Sequence, residues 1–177
     1  EIMRFGMTMP SAIPAKYQFM EWYGRGPSEP GAIGESYANR KQSCPLGRFR
    51  QHVDDALHHY LKPEEAGSKA DVRWFALLDS SGNGLLFSGQ PRISVSVWPF
   101  TQDDLFAAAH VDDLPYRSQF TVNIDAIVRA RGDGAARCLP GTYELSFTMQ
   151  ACRPGQEALR EIASACPGRW WKENTRQ

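Results

Sequence analysis

No stretch of these 177 residues approaches the roughly 20 consecutive apolar residues that cross a bilayer. The opening EIMRFGMTMPSAIP also lacks the continuous apolar region of a signal peptide, so the chain reads as soluble. It starts without Met and already inside an alternating pattern, as a fragment or a processed product would. Net charge is missing too: 20 Lys and Arg balance 20 Asp and Glu, which leaves no sequence-wide attraction for nucleic acid or an anionic membrane. Cys44, Cys138, Cys152 and Cys166 form no C-x-x-C pair, and no His stands at finger-like spacing, which argues against a zinc site. They read as semi-buried thiols, with Cys152 and Cys166 the pair to test for a bridge. G-x-S-x-G, G-x-G-x-x-G, Walker and H-E-x-x-H strings are all absent, so the familiar serine, phosphate-loop and zinc-protease signals are missing. A (β/α)₈ barrel takes roughly 250 residues and cannot be complete in this length.

What is present is enough apolar material, 42% of residues with 11% aromatic, for one substantial core. Met3, Phe5, Met7 and Met9 alternate with Arg4, Gly6 and Thr8, the period of a strand with one buried face. Tyr17 to Tyr23 is a second strand candidate, followed from Gly24 to Pro45 by Gly, Pro, Ser and Asn in the manner of a long loop. Val72 to Leu78, a turn at Asp79 to Gly84, and Leu85 to Ser88 predict a β-hairpin. Ile93, Val95 and Val97 predict another strand ending at Trp98. Thr101 offers an N-cap with Asp103 and Asp104 in the first turn of a short helix. Phe120, Val122 and Ile124 alternate, as do Tyr143, Leu145, Phe147 and Met149. Leu159, Ile162, Ala163 and Cys166 recur at helical spacing before Pro167-Gly168. These elements predict an all-β protein, a large antiparallel β-sandwich with a short internal helix and a C-terminal helix. Residues 1–152 form the domain, and 153–177 form a helical extension packed on it.

Candidate chemistry is thin. The acid pairs Asp54-Asp55, Glu64-Glu65, Asp103-Asp104 and Asp112-Asp113 are adjacent in sequence, whereas a glycosidase holds two carboxylates apart across a cleft. His58-His59 cannot present both rings to one ion from an extended strand, and His52 and His110 are isolated. Arg131-Gly132-Asp133 reads as a tight turn. Trp22, Trp74 and Trp98 could stack on sugar faces, but all three sit in strand patterns, where core packing is the ordinary role.

Glu21-Trp22-Tyr23-Gly24-Arg25-Gly26-Pro27-Ser28-Glu29 closely resembles the W-Y-G-R-G-P-x-E motif opening the C-terminal small-chain domain of glycoside hydrolase family 2 β-galactosidases. Ser36-Tyr37-Ala38-Asn39-Arg40 resembles that family's N-Y-x-D-R. Asp71-Val72-Arg73-Trp74, Val97 to Leu114 and Phe120 to Asp125 follow in the family's order. The resemblance covers roughly residues 1–150 and implies a supersandwich related to galactose mutarotase. It implies further that both catalytic glutamates lie on a separate barrel domain, the partner of this one, and that the small-chain domain lends a sugar-stacking tryptophan. Here the sequence departs. Six extra residues, Pro30 to Glu35, separate the first two motifs. The family's G-G-D-x-S-W stands as Arg131-Gly132-Asp133-Gly134-Ala135-Ala136-Arg137, with Gly132 and Asp133 matching and Ala136 in the tryptophan's place.

By that resemblance Arg131, Gly132, Asp133 and Arg137 are the candidate substrate-binding residues. Trp22, Gly26, Pro27, Glu29, Tyr37, Arg40, Arg73 and Trp74 are motif residues with structural roles. The implied function is a non-catalytic domain supporting the barrel and bordering its galactoside site, in a homo-oligomeric parent, with no cofactor, metal, nucleic acid or membrane of its own. A mutarotase-like carbohydrate-binding module and a purely structural domain are the alternatives. The compartment stays open between the bacterial periplasm and cytoplasm.

Overall fold

Alternation of apolar and polar side chains becomes strand wherever a neighbouring strand takes up the backbone hydrogen bonds. The computed structural model describes residues 4–10, 18–25, 46–54, 69–115, 117–125, 142 and 144–155. In chain order these give β1 (Arg4–Pro10), β2 (Phe19–Arg25), β3 (Leu46–His52), β4 (Lys69–Leu78), β5 (Gly84–Trp98), α1 (Gln102–Ala107), β6 (Gln119–Asp125) and β7 (Phe147–Cys152). A turn of 3₁₀ helix, Val111–Asp113, follows α1. The seven strands form one sheet in the order β1-β6-β5-β4-β2-β3, with β7 also paired to β5. Every pairing is antiparallel.

The predicted hairpin is present, Leu78 opposite Gly84 and Phe75 opposite Phe87. Asp79 organises its turn: one carboxylate oxygen accepts the Ser81 and Asn83 backbone N–H groups at 2.8 and 2.9 Å. Those bonds, led by Asn83, lower its pKa. The helix start is also as expected, with Thr101 and Asp104 forming a capping box.

The described strands make up one antiparallel sheet. Three expectations need correction. The separate strands expected at 85–88 and 93–98 are one 15-residue strand, β5. Strand β3 was not expected, because LGRFRQH offers few apolar residues. Its place comes from pairing along all of β2, from Phe19 opposite His52 to Arg25 opposite Leu46. Strand β7 starts at Phe147, with Glu144 to Ser146 outside any strand and Tyr143 not described. The expected C-terminal helix lies outside the described residues.

Both faces of the central strands are covered, which is why Trp74 to Leu78 are buried without interruption. One face carries a continuous apolar cluster that runs from Trp22 through Phe75 and Phe87 to Val122 and Ile124. The Phe75 and Phe87 rings stack with centroids 4.4 Å apart, an arrangement that contributes about 0.5–1.5 kcal/mol beyond burial. Trp74, Ala76, Leu78, Leu86 and Cys152 form a separate cluster with Tyr23 packed against it. A third joins Trp98, Phe100 and Leu114 to Leu105 and Ala108, at the α1 end of the molecule.

Candidate functional site

Strand β2 presents Glu21, Tyr23 and Arg25 on one face and Trp22 and Gly24 on the other. Trp22 is fully buried, and its indole N–H donates to the Arg25 carbonyl at 2.9 Å. Phe49 lies beside the ring, and the Lys69 ammonium stands over it at 5.0 Å. Gly24 lets β2 close onto β4: a Cβ there would stand 3.0 Å from Val72 Cα and 3.1 Å from the Ala70 carbonyl oxygen.

The segment of β4 facing this approach is irregular. Its register with β5 shifts between Lys69 and Val72 and again between Val72 and Trp74. Asp71 sits in that bulge with φ +54°, in the left-handed region that Asp tolerates better than most residues. Its carboxylate accepts from Arg25 Nε and from Arg92 Nη1, each at 2.8 Å. Its carbonyl accepts from Arg73 Nη1. The Arg25, Arg92 and Asp71 side chains keep 31%, 22% and 20% of their exposure. Burial, reinforced by the like charges of Arg92 and Arg25, holds the Arg73 guanidinium below the usual arginine pKa, against the opposing pull of Asp71 and Tyr23.

A second ion pair flanks the node, with Arg48 Nε donating to the buried Glu21 at 2.5 Å. The remaining candidates fall elsewhere. Trp74 is fully buried in the cluster with Tyr23, and Trp98 stacks on Phe100. Asp104 is held by Arg117 through two bonds of 2.6 Å. Asp103, Asp112, Asp113 and His110 are exposed, and His52 Nδ1 is buried without a hydrogen-bond partner. Cys152 is a buried free thiol. Gly26, Pro27, Glu29, Tyr37, Arg40, Arg131, Gly132, Asp133, Arg137 and Cys166 lie outside the described residues. Among the described residues no three His, Cys, Asp or Glu side chains gather as metal ligands, and no helix is long and apolar enough to cross a membrane.

The structure therefore brings together two motif segments that lie far apart in sequence, Trp22 to Arg25 and Asp71 to Trp74. Arg92 and the Glu21–Arg48 pair are the members that sequence reading missed. Complementary charge was their only signal, and nothing in the sequence ties Asp71 to an arginine 21 positions onward.

An antiparallel β-sheet domain whose motif residues lock two strands around a bulge is the class that fold and site define. Residues 1–150 match the beta galactosidase small chain family, and the chain belongs to it. It is similar to the β-galactosidase of Priestia megaterium, 32% identical over 125 residues that make up 71% of this chain and 11% of that protein. It is also similar to the β-galactosidase of Halalkalibacterium halodurans, at 34% identity over 63% of this chain and 11% of that protein. A third relative is the β-galactosidase BgaC of Bifidobacterium adolescentis, at 34% identity over 59% of this chain and 10% of that protein. The chain thus spans only about a tenth of the length of these curated relatives.

Proposed function

We propose that the chain is a non-catalytic small-chain domain of a β-galactosidase, associated with the larger chain or domain that carries the bond-breaking groups. Residues 1–152 would form the supersandwich body related to galactose mutarotase and 153–177 an extension packed on it. The Arg131 to Arg137 turn would border the galactoside site. The observation that carries this reading is the destination of the motif residues. Trp22 and Trp74 go fully into cores, while Gly24, Arg25 and Arg73 go into the β2–β4 junction. Glu21, Asp71 and Asp104 are each held by arginine rather than facing one another across a cleft. A carbohydrate-binding module gains no support from the described tryptophans, because Trp22, Trp74 and Trp98 are all buried.

The test is hydrolysis of a chromogenic β-galactoside by the purified 177-residue chain, alone and with its large chain. No turnover is expected from the chain alone. Turnover by the chain alone that survives separation from any contaminating galactosidase would contradict the proposal.

A further inference from the structure

We infer that Arg73, flanked by Arg25 and Arg92 around Asp71, is a docking point for a carboxylate on the large chain of the galactosidase. This rests on the small-chain reading above. Arg73 lies in the sheet beside the bulge, partly buried, and its guanidinium donates to the neutral carbonyl of Asp71. It forms no ion pair among the described residues, because both carboxylate oxygens of Asp71 are engaged by Arg25 and Arg92.

A guanidinium carries five N–H donors in a planar fork that matches a carboxylate two bonds at a time. Removing such a group from water is unfavourable unless an anion faces it. Burial weighs most on Arg73; the charge of Asp71 offsets part of that cost, and the guanidiniums of Arg92 and Arg25 add to it. Asp71, with its left-handed backbone in the bulge, accepts a hydrogen bond from each of the three arginines. Some nine-tenths of each relative's length lies outside the part matched here, and that length is where the carboxylate would come from.

Sulfate at matched ionic strength, with chloride as control, probes the node on the 177-residue chain through the Arg73 Nε–H resonance in the wild type, and through the Arg25 and Arg92 Nε–H resonances in both the wild type and Arg73→Lys. A saturable shift with sulfate is expected in the wild type. Arg73→Lys keeps the charge and loses the fork, and should weaken sulfate binding about tenfold. An Arg73 resonance indifferent to sulfate, or equal binding by Arg73→Lys, overturns the anion site. The second arm measures association with the large chain. Arg73→Lys should weaken it about tenfold, and sulfate should compete with it. Wild-type association that ignores both changes overturns the docking point alone. A wild-type chain that does not associate at all overturns the small-chain reading and the docking with it. Saturable sulfate binding without competition identifies a site for free oxyanions and overturns the large chain as its source.

Discussion

Asp71 is the residue on which two distant parts of the chain depend. Its partners Arg25 and Arg92 stand 46 positions before it and 21 after it. Its left-handed backbone costs roughly 1–2 kcal/mol in an L-residue, which the two charged hydrogen bonds offset. Asp71→Asn keeps the size and the backbone tolerance but removes the charge from between the arginines. It should destabilise the chain by about 1–3 kcal/mol, the range for hydrogen bonds to charged groups, discounted because all three side chains keep some exposure. A lower urea midpoint with an unchanged slope is the expected result, and an unchanged midpoint would remove Asp71 from the account. Trp22→Ala should cost more, about 3–5 kcal/mol, because it empties a fully buried site. Trp22 and Trp74 were legible as strand residues because period-2 alternation identifies faces. Asp71 was not, because a left-handed bulge built on Asp rather than Gly leaves no mark in a single sequence. Glu21 also defeats simple alternation: it is buried next to buried Trp22, since the sheet is covered on both sides and Arg48 compensates the charge.

Elements differ in how locally they are determined. The β4–β5 hairpin and α1 were readable because their signals are local: Asp79 and its turn, Thr101 and its cap. Strand β3 was not, because its pairing with β2 lies outside its own seven residues. The hairpin also depends on Gly84, where a Cβ would run into the Leu77 carbonyl. Gly84→Ala should therefore lower stability by at least about 1–3 kcal/mol, as overpacking does. Loss of amide protection at Leu77 and Leu86 under hydrogen exchange would accompany it, and retained protection with an unchanged midpoint would speak against the clash. At α1, hydrogen bonds from Arg117 and then Thr101 hold the Asp104 carboxyl well below the usual carboxylate range. Because the folded pKa is depressed, this contribution is fully present above the unfolded value of about 3.9 and lost as pH falls toward the folded one. Asp104→Asn should therefore flatten the acid limb of stability between about pH 5 and pH 2 relative to wild type. Equal slopes in urea titrations would assign the acid sensitivity elsewhere. Thr101→Ala should cost about 1 kcal/mol through the lost cap.

For the molecule as a whole, the antiparallel β class was legible and the order of the described strands was not, because alternation identifies a buried face without saying which strand lies beside which. The resemblance read on short motifs reached the same family as the match over residues 1–150. If the chain works as a small chain, its folded form is the one that its large chain binds, and mass action links the two. At a large-chain concentration of about 100 times Kd, binding stabilises the folded state by about 2.7 kcal/mol. For a domain of this size that corresponds to a rise in Tm of roughly 5–10 °C. Differential scanning fluorimetry of the labelled chain, with and without the large chain, reads this directly. Lactose alone should leave Tm unchanged, because the described tryptophans are buried and give a sugar no face to stack on. A Tm that rises with lactose but not with the large chain would reverse the assignment, making the domain a sugar binder in its own right.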